Sequence, residues 1–256
     1  MNARRITALA AGLVLGGSMA FMAVSTVAAT GPTNGGPAGK GVCAPQAQAS
    51  ASKGALGLAA LKAFGDCEIN RRLTTLTDVS AKITASKVIT SSHAAALQSE
   101  ISSTRSGLTS LKATIDADPV LATLKADVTR IATDYRVYVL VVPQANLVNG
   151  ADAVLAAQAK VADINTKLTA AIAAAKAGGK DTTAAQTALD AMNASVTAAV
   201  GLATPLPAAL LPLTPAQYNG GTAGPILGNA RTALGTARPD LKNAVASAKA
   251  CRDALK

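Results

Sequence analysis

The sequence predicts an all-α protein, an elongated antiparallel bundle of about five long amphipathic helices. Three observations lead there. Ala, Thr, Ser and Leu dominate a chain with no Trp, three Tyr and two Phe, whereas β-sandwiches and carbohydrate-binding barrels draw on aromatic and β-branched runs. Apolar residues recur at alternating steps of three and four, the spacing that gathers them on one side of a helix. The periodic segments are joined by short stretches with capping residues, as antiparallel neighbours require.

Residues 1–29 read as a signal peptide. Arg4 and Arg5 form a basic start, an uncharged apolar run extends from Ile6 to Ala29, and Val27-Ala28-Ala29 suits a signal peptidase, leaving Thr30 as the new N-terminus. The run of 24 uncharged residues is also long enough to span a bilayer as an uncleaved anchor. Ile6-Thr7 lacks the apolar residue usual after a twin-arginine pair, and Cys43 stands too far past the run for a lipoprotein signal. Residues 30–54 form a flexible Gly/Pro/Ser-rich tail, and residues 55–256 the helical bundle domain.

Within that domain, Ile69, Leu73, Leu76, Ser80 and Ile83 mark the seam of the first helix. Thr90-Ser91-Ser92 offers an N-cap to a second, with seam Leu97, Ile101, Thr104, Leu108, Leu111 and Ile115. It ends at Asp116-Ala117-Asp118-Pro119, where Asp118 can cap the next helix and Pro119 suits its first turn. The third seam runs unbroken through Leu121, Leu124, Val128, Ile131, Tyr135, Tyr138 and Val142, so one helix is expected up to Pro143. The seam resumes at Leu147, Ala151, Val154, Gln158, Val161, Asn165, Leu168 and Ile172 after a step of five, which places a kink or a break at Pro143.

Gly178-Gly179 ends this helix, and Asp181 or Thr182 starts another with seam Ala185, Leu189, Met192, Val196 and Ala199. An irregular Pro/Gly loop is expected at about 202–224, apolar enough to pack on a helix end or a partner. The last seam, Leu227, Ala230, Leu234, Ala237, Leu241, Ala244, Ala248, Cys251 and Leu255, keeps its phase across Pro239. Pro239 therefore reads as a kink inside one helix.

The formal charge is +10, from 24 basic and 14 acidic residues. Arg4 and Arg5 lie before the cut, so cleavage leaves 22 basic against 14 acidic residues, or +8. Such a surface attracts anionic lipid headgroups, acidic cell-surface polymers or acidic proteins. Nucleic acid is a poor fit, because the charges look spread along the helices and aromatic stacking platforms are missing. Three cysteines in an exported chain allow one disulfide. Cys67 and Cys251 are the expected pair, Cys43–Cys67 being judged strained if the intervening residues are mostly helical.

Gly107-Leu108-Thr109-Ser110-Leu111-Lys112 with Ile115-Asp116-Ala117-Asp118, and Asp134-Tyr135-Arg136-Val137-Tyr138-Val139-Leu140-Val141-Val142-Pro143, resemble exported Ala/Thr-rich helical proteins of high-GC Gram-positive bacteria. The resemblance runs from about residue 68 to the C-terminus. It implies an extracytoplasmic helical protein and carries over no catalytic residue.

No zinc motif or phosphate-binding glycine loop is recognisable, and no cofactor is expected. His93 is the single histidine; it reads as an exposed first-turn residue, with no carboxylate or nucleophile tied to it by spacing. Capping is reason enough for Asp116 and Asp118. Asn193-Ala194-Ser195 matches a glycosylation sequon. Tyr135, Arg136 and Tyr138 are the one candidate ligand or packing site. The expectation is a secreted or cell-envelope, non-catalytic helical protein: a spacer or a scaffold for a protein or an anionic cell-surface polymer. The Ala-rich, coiled-coil-like seams also permit self-association. The alternative is a module tethered by an uncleaved N-terminal helix or held on an anionic membrane surface by its basic charge.

Overall fold

The computed structural model describes Cys43 and residues 54–256. The expected signal peptide (1–29) lies outside the described residues, as does the tail (30–54) apart from Cys43 and Gly54. Among the described residues the fold is all-α, without a strand.

Helix α1 spans Gly54–Ala85 and α2 spans Ser91–Ala117. Thr90 caps α2, its hydroxyl accepting from the His93 N–H at 3.3 Å. The expected seam of α2, Leu97, Ile101, Thr104, Leu108, Leu111 and Ile115, is its buried face residue for residue. On α1, Ile69, Leu76 and Ile83 are buried while Leu73 and Ser80 are half-buried. The two helices run antiparallel: Lys62 Nζ donates to the Asp116 carbonyl, Lys112 pairs with Asp66, and Ser80 bonds Gln98. Each step along α1 is matched by an equal step backwards along α2.

Helix α3 is short, Leu121–Thr133. Asp118 acts just before it, accepting from the Val120 N–H at 2.8 Å, and Pro119 precedes the helix rather than opening it. The expected continuous helix up to Pro143 is not formed. The chain breaks seven residues earlier, where Arg136 adopts the left-handed conformation (φ 44°), and re-enters helix through a π-turn, Val137–Val141. The Val142 N–H donates to the Val137 carbonyl, a bond spanning five residues. That bond accommodates one residue more than an α-turn, so the phase slip read at Pro143 originates in the turn just before it. Pro143 itself sits in the first turn of α4 (Val142–Ala177), where no N–H is needed.

Helix α5, Thr183–Ala203, follows Gly178 and the left-handed Gly179 (φ 79°). The segment expected to be an irregular loop contains two one-turn helices, α6 (Leu206–Leu210) and α7 (Pro215–Asn219). Leu206, Leu210 and Leu213 are buried, and the buried Gln144 of α4 donates to the Leu210 and Leu211 carbonyls. A Thr214/Gln217 capping box opens α7. Helix α8, Ala223–Asp253, runs through Pro239 as expected, with its buried seam intact on both sides. Among the described residues six helices thus exceed two turns, one more than expected, because α3 and α4 are separate.

The interior forms two apolar clusters. The larger joins α1, α2, α3, the π-turn and the first half of α4 to the facing parts of α5, α6 and α8. The smaller joins Val161, Leu168 and Ile172 of α4 to Ala185, Leu189 and Met192 of α5 and Ala244 and Cys251 of α8. Helices α4, α5 and α8 therefore cross both clusters. Each fully buried Leu, Ile or Met contributes roughly 1.5–3 kcal/mol, and the Ala positions between them let the three axes approach closely.

Candidate functional site

The three candidate residues Tyr135, Arg136 and Tyr138 lie at the break between α3 and α4, and each faces a different partner. The Tyr135 ring covers Gly107 of α2, and burial pushes its phenol above the ordinary tyrosine value. The Arg136 guanidinium lies 5.3 Å from the Tyr218 ring centroid, and its Nε donates to Asn219 Oδ1 at 2.6 Å. Asn219 Nδ2 in turn donates to the Thr133 carbonyl at 3.0 Å. These bonds tie α7 to the end of α3, and they engage the residue whose left-handed backbone makes the break. Such a backbone persists where surrounding contacts over-determine it.

Tyr138 carries two cations. The guanidinium carbons of Arg71 and Arg72 both lie 5.1 Å from its ring centroid. Both arginines also bond Glu68 Oε2, Arg71 at 2.8 Å. The cluster docks the π-turn on α1 through charge and ring quadrupole together. The three candidate residues thus fasten three different contacts and do not converge on one pocket.

His93 departs from its expected role. Its Nδ1 lies 3.0 and 2.9 Å from the two carboxylate oxygens of Asp152 on α4, and the Asp152 side chain is fully buried. Asp152 Oδ2 also accepts the Thr90 N–H at 2.9 Å. One helical turn earlier on α4, Asn149 Oδ1 accepts from the Ser86 hydroxyl at 2.6 Å. The α1–α2 connection is thereby latched to α4 at both of its ends. Spacing gave no sign of this pair, because 59 residues separate its members. The one cue was an Asp among the apolar residues Ala145, Val148 and Ala151 of α4.

Chemically this is an Asp–His pair holding one ring nitrogen, the orienting half of a triad. The neighbouring hydroxyls are engaged elsewhere: Ser86 with Asn149, and Ser92 with Thr90 at 3.3 Å. A groove of about 610 Å³ is lined by Ser80, Gln98, Ser102, Arg105 and Ser106 among others, none of them the candidate residues. Among the described residues no three metal-ligating side chains come together.

The expected Cys67–Cys251 disulfide is corrected. Cys67 is bonded to Cys43, with Cα atoms 5.8 Å apart, and Cys251 is a free thiol. Cys43 stands eleven residues before Gly54, the first described residue of α1. The way back to Cys67 is about 20 Å at 1.5 Å per helical residue, within reach of a chain that extends to about 3.3–3.6 Å per residue. Cys251 lies in the smaller cluster, which α1 does not enter, and burial pushes its thiol up. Compared with protein-family models, curated proteins and solved structures, the chain matches none.

Proposed function

We propose that this chain is an exported, non-catalytic helical protein, secreted or held in the cell envelope, which acts as a spacer or a scaffold for a partner. The observation that carries the reading is the Cys43–Cys67 disulfide, a bond that persists in oxidising compartments outside the cytoplasm. It agrees with the basic start and apolar run of residues 1–29 and with the resemblance to exported Ala/Thr-rich helical proteins. The use of the polar side chains supports a structural role. His93, Arg136 and the Arg71–Arg72 pair are each engaged in fastening one helix to another. Long helices joined by short turns suit a spacer, since each residue of helix adds 1.5 Å of reach.

The tethered reading differs only in the fate of the apolar start. The apolar stretch Leu121–Ala177 is long and apolar enough to cross a membrane by composition, but half of its most apolar window is buried inside the bundle. That half packs in the core, and the anchor of the tethered reading is the run of residues 6–29. Intact-mass measurement of protein from the native host, with fractionation, tests both readings. A first residue of Thr30 in the medium or wall fraction is expected. An intact Met1 in the membrane fraction selects the tether, and a cytoplasmic, reduced chain overturns export altogether.

A further inference from the structure

We propose that one face of α8 is a binding surface for a linear phosphate polymer. Arg231, Arg238, Lys242 and Lys249 follow one another at steps of seven, four and seven. At 100° per residue these steps return to within about 20° of the same direction, so the four form a single line. All four are exposed, and none makes an ion pair among the described residues. The two acidic residues of α8 do not neutralise the line. Asp240 projects from the opposite side, and Asp253 is held by Arg252 and Lys256. The buried seam keeps its phase across Pro239, so the basic line does too.

The spacing makes the line act as one object. Along the axis the charges stand about 10.5, 6 and 10.5 Å apart, giving a strip of about 27 Å. These gaps are comparable with the Debye length of about 8 Å at physiological salt, so neighbouring fields overlap. The surface beside them is open: a Cβ added at Gly224, Gly228 or Gly235, on the same side of the helix, would meet nothing within 4 Å. Charges that looked spread in the linear sequence are thus collected by the helical phase.

The shape of the strip selects its partner. A helix lying on a membrane needs apolar or aromatic side chains to insert beside its charges, and the exposed large hydrophobics of the described chain are Val120 and Val139, neither on α8. A nucleic acid gains from stacking its bases on aromatic rings, and α8 has none. A single row of cations beside open glycine positions matches an extended polyanion read through its phosphates alone. This deepens the scaffold reading and rests on it only for the place where the polymer is met.

The test is equilibrium binding of the oxidised protein, residues 30–256, to inorganic polyphosphate between 50 and 200 mM salt. The quadruple variant Arg231→Gln, Arg238→Gln, Lys242→Gln, Lys249→Gln should bind at least tenfold more weakly at the lowest salt. Its log–log salt slope should be shallower by about 3, the counterion release of four contacts at about 0.7 each. A matched variant, Lys82→Gln, Lys87→Gln, Lys125→Gln, Lys160→Gln, loses the same charge from exposed positions off the line and should stay within threefold of the parent. Unchanged circular dichroism and melting temperature establish that both variants fold. Equal losses in the two variants, or no binding by the parent, overturn the proposal. Tighter binding to anionic vesicles or to poly(dT) than to polyphosphate also overturns it. The export measurement above is read separately, so failure of the strip and failure of the envelope reading are distinguishable.

Discussion

Gly107 of α2 lies directly beneath the ring of Tyr135: a Cβ built on Gly107 would stand 2.5 Å from Tyr135 Cε1 and 2.9 Å from its hydroxyl. The stretches 107–118 and 134–143 meet at this contact. The ring can sit against α2 only because residue 107 has no side chain, and the same ring marks the break between α3 and α4.

Gly107→Ala should therefore destabilise the protein, by about 1–3 kcal/mol for overpacking, in spite of the gain of about 1 kcal/mol that Ala brings to a helix. Gly235→Ala, with nothing within 4 Å of the new Cβ, should stabilise by up to about 1 kcal/mol. Urea unfolding of the two variants checks the pair. Equal changes in both would mean that the Tyr135 ring yields freely.

The latch between His93 and Asp152 predicts an asymmetry. His93→Ala leaves a fully buried carboxylate with the Thr90 N–H as its remaining partner and should cost about 3 kcal/mol. Asp152→Ala leaves two donors, one on a ring that is 25% exposed and can take water, and should cost less, about 1–2 kcal/mol. Denaturant midpoints for both, with amide exchange across residues 86–93, measure it. The reverse order would show that Asp152 does not depend on His93.

Reduction, or the variant Cys43→Ala, should lower stability by about 3.5 kcal/mol, the loop-closure value for a bond that spans 24 residues. Alkylation under denaturing, non-reducing conditions should label one cysteine, and peptide mapping should place the label on Cys251. A label on Cys43 would contradict the pairing.

Two carboxylates should titrate low. The Thr183 backbone N–H and then its hydroxyl hold Asp181 below the ordinary aspartate value at the start of α5. Lys256 and then Arg252 hold Asp253 at about 2. Both folded values lie below the unfolded value of about 3.9. Their contributions are therefore fully present above that value and lost as pH falls through the lowered ones. Carboxyl NMR titration checks the direction, and Thr183→Ala should move Asp181 back toward its ordinary value.

Helix existence was legible wherever one face is wholly apolar. The α2 seam from Leu97 to Ile115 is buried as read, and so is the α8 seam across Pro239 except at the half-buried Ala248 and Leu255, because a 3.6-residue period leaves one side to bury whatever the neighbour. The break at Arg136 was not legible, since Tyr135 and Tyr138 continue the period on paper. The turn is held open by contacts with Gly107, Arg71, Arg72, Tyr218 and Asn219, which come from three other helices. The step of five after Val142 was its only trace, displaced downstream. Leu206, Leu210 and Leu213 signalled that the loop packs, but not that it coils into two single turns, the first held by Gln144 and the second by Arg136.

By itself the sequence determined what depends on near neighbours: the all-α class, the buried face of α2 and most of that of α8, and the caps at Thr90 and Gly178-Gly179. It also set the row of cations on α8, since helical phase places residues 231, 238, 242 and 249 on one side. The tertiary structure decided what depends on contacts distant in sequence. It joined Cys67 to Cys43, gave His93 the carboxylate of Asp152, parted Tyr135, Arg136 and Tyr138 among three partners, and divided the interior into two clusters. Periodicity specifies which side of a helix is hidden. Only packing specifies which residue of another helix is hidden against it.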